Sequence, residues 1–164
     1  MTKLPGYLIG YVASILILNL AFSYVPMVDL GFGLFSPMAV LAGLVFVLRD
    51  YAQRQVGHWV LGGMAAGALL SFWLADPFVA TASVAAFVVS ELGDWLLYTI
   101  TKKPFHQRVL VSSVLATPID TAVFLYLIDG MTAGTFVLMV AAKMVAALAV
   151  WYMYHRRPAY LRPA

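Results

Sequence analysis

Polar and turn-forming positions divide this chain into six long apolar stretches. Each stretch is close to the roughly 20 mostly apolar residues that an α-helix needs to cross a bilayer. The connections are rich in Pro, Asp and Gly, which favour turns, and none is long enough to hold a soluble domain. The pattern therefore predicts a single transmembrane domain, residues 1–164. Its six helices are expected at approximately residues 4–25, 30–48, 56–75, 78–100, 109–128 and 131–154.

The amino-acid composition agrees with a lipid environment. Of the residues, 63% are hydrophobic and 10% are charged, whereas soluble domains are typically about 45–50% apolar and about 25% charged. A chain of this size still exposes much of its surface when folded, so a single core cannot hide the excess. These values exclude an ordinary soluble helical domain and predict an all-α integral membrane protein.

The distribution of positive charge predicts the orientation of the helices. The three connections after the first, third and fifth spans hold Asp29, Asp76 and Asp129 and no basic residue. The other connections and the termini hold all the lysines and arginines except Lys143: Lys3, Arg49, Arg54, Lys102, Lys103, Arg108, Arg156, Arg157 and Arg162. Because basic residues stay on the cytoplasmic side, both termini are expected there. This topology explains the net charge of +3, and no nucleic-acid partner is predicted.

Four charged residues remain inside the predicted spans, namely Glu91, Asp94, Asp120 and Lys143. A charged group at the centre of a membrane helix costs about 2.5–3.5 kcal/mol on insertion scales, so these groups should face the interior of the bundle. Each could belong to a functional site or to a structural contact between helices. Four such residues together favour a polar pocket.

The spacing of polar residues indicates which helix faces line this pocket. In the fourth span, polar and aromatic residues recur at steps of three and four, which places them on one face. They are Ser83, Phe87, Ser90, Glu91, Asp94, Tyr98 and Thr101. The fifth span repeats the pattern with Ser113, Thr117, Asp120 and Phe124. Lys143 of the sixth span lies at a depth similar to that of Asp120, so an ion pair between the two is expected, although the sequence leaves open which carboxylate pairs with Lys143 and which binds a ligand.

The residues of the pocket suggest the chemistry of a ligand. Carboxylates accept hydrogen bonds, and two neighbouring N–H donors match one carboxylate well. Aromatic side chains such as Phe87 and Trp95 can stack on a flat ring. A planar heterocycle with several N–H donors would satisfy both features. The chain contains no cysteine, and His58, His106 and His155 lack metal-ligand spacing, so neither a metal nor a cofactor is predicted.

Three segments resemble the queuosine-precursor transporter family, also called the vitamin uptake transporter family. They are FVLRDYAQRQVG (residues 46–57), ASVAAFVVSELGDWLLY (82–98) and RVLVSSVLATPIDTAVF (108–124). In these segments Asp50, Glu91, Asp94 and Asp120 match polar positions of the family. The resemblance implies a multi-pass protein of the bacterial inner membrane that imports 7-cyano-7-deazaguanine or a related 7-deazaguanine.

On this interpretation each polar residue has an expected role. Glu91 and Asp94 bind donors on the ring, Asp120 and Lys143 shape the site, and Asn19 and Trp95 contribute hydrogen bonding and stacking. Arg49 and Asp50 lie at the cytoplasmic mouth and hold the connection there. The expected substrate-binding residues are Asn19, Phe87, Ser90, Glu91, Asp94, Trp95, Asp120 and Lys143.

Other functions compete with an independent transporter. The chain could be the substrate-binding subunit of a multi-subunit vitamin or nucleobase uptake system, with an energising partner complex. An intramembrane aspartyl-type enzyme is disfavoured, because the segment LGDW lacks the Gly-x-Gly-Asp pattern, so no enzymatic activity is predicted. A structural scaffold would leave the polar face of the fourth span without a purpose. The mode of energy coupling and the formation of a homo-oligomer are open from the sequence.

Overall fold

The computed structural model describes residues 6–100 and 105–156. Seven side chains within these ranges lie outside this description: Val79, Ala80, Asp94, Tyr98, Phe105, His106 and His155. The predicted positions of Lys3, Thr101, Lys102, Lys103, Arg157 and Arg162 also lie outside it. The helices are α1 (Gly6–Tyr24), α2 (Met38–Val56), α3 (Val60–Leu74), α4 (Pro77–Ile100), α5 (Phe105–Leu127) and α6 (Ala133–His155). Two short strands, β1 (Val28–Asp29) and β2 (Leu34–Phe35), join α1 to α2.

Four helical stretches in the described part of the chain are long and apolar enough to cross a membrane. They are Gly6–Tyr24, Met38–Leu74, Gln107–Leu127 and Ala133–Tyr154. Large apolar side chains, including Ile17, Trp73 and Val137, are exposed along them, as lipid-facing positions would be. The protein is therefore helical, with several segments that can span a bilayer.

The stretch Met38–Leu74 reverses direction at Gly57. This residue has φ 61°, a left-handed conformation that glycine adopts readily, and it ends α2. A short 3₁₀ turn follows, and α3 then runs parallel to α1, because Gly63 contacts Leu8 and Gly67 contacts Ile15. The absence of side chains on these glycines lets α1 approach closely. The stretch is therefore a helical hairpin and not one long helix.

The β-strands correct the predicted start of the second span. Residues 30–37 are not helical: β1 and β2 form an antiparallel hairpin in which Val28 pairs with Phe35. The turn uses Gly31 at φ 85°, whose N–H donates to Asp29 Oδ1 at 2.8 Å. The hairpin contacts the start of α6, where the Leu34 N–H donates to Thr135 Oγ1 at 2.9 Å. Sequence hydrophobicity alone did not separate this apolar hairpin from the helix.

The helix termini define the two ends of the bundle. At one end the ring of Tyr7 stacks on Tyr51 with centroids 5.3 Å apart, and the Tyr51 hydroxyl donates to the Tyr154 hydroxyl at 2.8 Å. The start of α1 and the ends of α2 and α6 therefore meet at what we call the Tyr51 end. The β-hairpin lies at the opposite end, which we call the hairpin end, because it contacts the start of α6.

Candidate functional site

The interior of the bundle contains two groups of charged side chains. The first consists of Asp120 on α5 and Lys143 on α6, called here the cavity pair. The Lys143 ammonium donates to the Asp120 carboxylate and to Thr121 Oγ1, the latter at 2.9 Å. Both residues are buried, and their pairing offsets the cost of removing each charge from water. The ion pair predicted from their similar depth is present in the structure.

Neighbouring helices hold the cavity pair in place. Ser90 on α4 lies 3.4 Å from Asp120 Oδ1, and its hydroxyl also points to the carbonyl oxygen of Phe87 at 3.1 Å. On the other side, α2 approaches the backbone of Lys143 at Gly43, where any side chain would overlap the lysine carbonyl. Four helices thus converge on one pair of charges.

The cavity pair lies in the wall of an internal cavity. Two aromatic pairs line it: Phe22 and Phe124 come from the parts of α1 and α5 nearer the hairpin end, and Phe46 and Phe87 from the middle of α2 and α4. The ring centroids are 5.3 Å apart in the first pair and 6.4 Å apart in the second. The remaining lining residues are Leu18, Ala42, Val45, Ser83, Asp120 and Lys143. The cavity thus combines a carboxylate, an ammonium group and aromatic rings.

The cavity is nearly closed in this conformation. The centre of a water molecule can occupy only about 20 Å³ of the cavity. A single water needs roughly 10–15 Å³ measured in this way, so there is room for about one water. A larger ligand, such as a two-ring heterocycle, would require the surrounding helices to separate.

The second group of charges, called here the Arg49 network, lies next to the cavity. Arg49 Nε donates to Glu91 Oε2 at 2.9 Å, and Arg49 Nη1 donates to Asp50 Oδ1 at 2.6 Å. Arg49 Nη1 also contacts Gln53 Oε1 at 3.0 Å, and the Tyr11 hydroxyl donates to Glu91 Oε2 at 3.0 Å. All five residues are buried. Ser112 on α5 also belongs to the network, with its hydroxyl 3.4 Å from Asp50 Oδ2.

The structure corrects the predicted position of Arg49 and Asp50. Both had been placed in a connection at the mouth of the bundle, but α2 continues to Val56 and buries them in its interior. No proline or glycine interrupts residues 49–56, so the helix ends only at Gly57. The partners supplied by α1, α4 and α5 let these two charges lie inside the protein.

The other residues proposed from the sequence fall in three places. Phe87, Asp120 and Lys143 line the cavity, and Ser90 contacts Asp120. Glu91 is not among the lining residues but belongs to the Arg49 network. The side chain of Asp94 lies outside the described residues.

The two remaining candidates make structural contacts away from the cavity. The Asn19 side-chain amide donates to Ser71 Oγ at 3.0 Å, which joins α1 to α3. Trp95 is partly buried near the Tyr51 end, where its indole N–H donates to His58 Nδ1 at 3.1 Å. Neither residue is among those that line the cavity.

Sequence reasoning missed several residues that shape the site. Phe22 and Phe46 line the cavity, yet aromatic residues in apolar spans carry no signal of their own. Tyr11 and Gln53 were also missed, although Gln53 lies one turn from Arg49 on the same helix face. That spacing was the available signal. In the described ranges, no group of three or more His, Asp or Glu side chains could hold a metal ion.

No protein-family model, curated protein or solved structure matches this chain.

Proposed function

We propose that this protein is a membrane transporter that imports a queuosine precursor, 7-cyano-7-deazaguanine or a related 7-deazaguanine. The observation that carries the proposal is the cavity pair in the wall of an aromatic cavity. Buried charges within membrane helices usually mark substrate or ion pathways. Leu and Ala could pack the same helices without this cost, so the position of the charges at a cavity favours a binding site.

The chemistry of the cavity suits the edge of a guanine-like ring. Such a ring presents a carbonyl acceptor beside an N–H donor and an exocyclic amine. The Lys143 ammonium would donate to the carbonyl, and the Asp120 carboxylate would accept from the two donors. Phe87 and Phe46 offer ring faces for stacking. In this assignment Asp120 takes the place of Glu91 as the main acceptor for the ring, because Asp120 lines the cavity and Glu91 is not among its lining residues.

We further propose that α1 to α6 all cross the inner membrane of a bacterium, with the Tyr51 end in the cytoplasm. The support is the antiparallel order of the helices and the position of Arg54 and Arg156, which are exposed near that end. Basic residues beside membrane helices are retained on the cytoplasmic side. Both chain termini would then be cytoplasmic.

The first test is uptake in a bacterial strain that cannot make queuosine precursors and lacks its own importer. With this protein expressed and nanomolar 7-cyano-7-deazaguanine supplied, we expect queuosine to appear in tRNA. Asp120→Asn should abolish this gain, because an amide cannot replace a carboxylate toward two donors or neutralise Lys143. Ser71→Ala, which alters another buried polar residue outside the cavity, is the matched control and should retain uptake.

The levels of each variant in the membrane must be measured in the same cells. If the parent protein is present in the membrane and no modification appears, 7-cyano-7-deazaguanine import by this chain alone is contradicted. Purified protein in liposomes then separates the two remaining explanations. Binding of 7-cyano-7-deazaguanine without transport would indicate a substrate-binding subunit that needs a partner, whereas no binding would show that the assigned solute is wrong.

A further inference from the structure

The Arg49 network lies between the cavity and the Tyr51 end. Arg49 follows Phe46 by one turn of α2, and Glu91 follows Phe87 by one turn of α4. Phe46 and Phe87 line the cavity, and their ring centroids lie 6.4 Å apart. Both helices run toward the Tyr51 end, where Gln53 Nε2 lies 3.4 Å from Thr99 Oγ1. A solute that leaves the cavity in this direction would therefore meet the ion pair directly after the aromatic pair.

The Arg49–Glu91 ion pair connects two helices that otherwise scarcely meet. In the described ranges, α2 packs mainly against α1 and α6, whereas α4 packs mainly against α5. Side chains make the close approaches between α2 and α4: the Phe46–Phe87 ring pair, the Arg49–Glu91 pair and the Gln53–Thr99 contact. Separation of α2 from α4 would thus leave most of the helix packing intact.

The partners of Arg49 are divided in a way that favours such a separation. Asp50 and Gln53 lie on the same helix as Arg49 and would move with it. Glu91 lies across the interface, where it accepts from Arg49 Nε and offers its main-chain carbonyl at 3.4 Å. If α4 moved away, the guanidinium would retain two acceptors, and water entering the gap would solvate the carboxylate of Glu91.

We propose that the Arg49–Glu91 ion pair is a gate that closes the cavity toward the Tyr51 end, and that it separates when solute passes to that side. The structure represents the closed state of this gate. The inference rests on the proposed transport function, but it does not depend on the identity of the solute.

Thiol labelling tests the gate without any substrate. The chain has no cysteine, so a single Ser83→Cys substitution places a reporter of nearly equal size in the cavity wall. A membrane-impermeant thiol reagent is then applied to vesicles of each orientation. A separate Arg54→Cys protein identifies which vesicle face corresponds to the Tyr51 end, because Arg54 is exposed there.

We expect the reporter to react slowly from the Tyr51 side. Glu91→Gln should raise this rate by about tenfold or more, because weakening the closed state increases the population of a minor open state. The rate from the hairpin side should not rise. The matched control Tyr154→Phe removes the hydrogen bond between Tyr51 and Tyr154 at the same end, and it should change the rate by less than about twofold.

Two results would contradict the proposal that the Arg49–Glu91 ion pair is a gate. One is an unchanged labelling rate from the Tyr51 side in a Glu91→Gln protein that reaches the membrane. The other is an equal rise from both sides, which would indicate a generally loosened bundle. If Glu91→Gln fails to accumulate, Tyr11→Phe takes its place, since it removes one hydrogen bond to Glu91 and leaves the charges paired. A rise of about threefold is then expected, and no rise counts against the gate.

The labelling experiment and the uptake experiment test different proposals, so either proposal can be rejected without the other. Suppose that Glu91→Gln raises the labelling rate from the Tyr51 side, but the protein does not import 7-cyano-7-deazaguanine. This result would support the gate and reject the assigned solute. Import of 7-cyano-7-deazaguanine without any response of the reporter would support the solute and reject the gate.

Discussion

Gly43 of α2 lies directly against the backbone of Lys143 on α6, so that a Cβ atom at position 43 would overlap the lysine carbonyl oxygen. This contact fixes the distance between α2 and α6 at the depth of the cavity. From there the Lys143 side chain reaches Asp120 and Thr121 on α5. Because Gly43 has no side chain, α6 can approach α2 closely, and this approach positions the ammonium group of Lys143.

Gly43→Ala should destabilise the protein, because the new methyl group meets main-chain atoms that cannot rotate away. Overpacking of this kind costs roughly 1–3 kcal/mol. The thermal unfolding temperature of the purified protein in detergent measures the effect. Gly62→Ala is the matched control: its Cβ would meet nothing within 4 Å, so it should be neutral or stabilising. Equal unfolding temperatures for the two variants would contradict the close approach of α2 and α6.

Lys143→Met should destabilise the protein more than removal of both members of the cavity pair. The single change leaves the Asp120 carboxylate buried beside Met, and breaking a buried pair in this way costs about 3–5 kcal/mol. The double change Asp120→Leu with Lys143→Met leaves no charge at the site. Unfolding in detergent for both single variants and the double variant gives the coupling energy, and additive effects would show that the two charges do not interact.

Asn19→Ala should weaken the contact between α1 and α3 and leave uptake intact. Hydrogen bonds between membrane helices are worth about 0.6 kcal/mol on average and about 1.7 at most. A double-mutant cycle with Ser71→Ala measures this coupling. Uptake is assayed in the same strains, since Asn19 is not among the residues that line the cavity. Loss of uptake in Asn19→Ala alone would place Asn19 in the binding site.

The two ends of the bundle should lie on opposite sides of the membrane. A fluorescent protein fused after Arg156 should fluoresce, since it would be cytoplasmic, whereas alkaline phosphatase inserted after Asp129 should be active outside the cytoplasm. An insertion of phosphatase after Asp29 in the β-hairpin should behave like that after Asp129. If alkaline phosphatase fused after Arg156 were active and the fluorescent protein fused there were dark, the proposed orientation would be reversed without a change of fold.

The sequence predicted the cavity pair because the charge, the depth and the inward face of each residue can be read from its own helix. Asp120 and Lys143 are charges in apolar segments, and their depth follows from their distance to the segment ends. The faces of α4 and α5 followed from helical periodicity, and the structure buries Ser83, Phe87, Ser113 and Thr117 accordingly. A similar depth and an inward face made Asp120 a candidate partner of Lys143, and the structure shows this pair.

The Arg49 network could not be predicted in the same way. A sequence with basic residues near the end of an apolar run is typical of a connection at the membrane surface. The alternative, a continued helix with a buried arginine, is stable only if acceptors surround the guanidinium. Two of these acceptors, Asp50 and Gln53, are local, but Glu91 lies 42 residues away. The sequence does not say which distant carboxylate faces Arg49.

The sequence by itself determined that this chain is helical, that it is suited to a membrane and that its interior carries charge. These properties depend on composition and on periodicity along single helices. The tertiary structure decided which charges are partners, where the cavity lies and how α2 continues past Arg49. Those features depend on which helices become neighbours, and close approaches such as that of Gly43 to Lys143 set the distances only after the chain has folded.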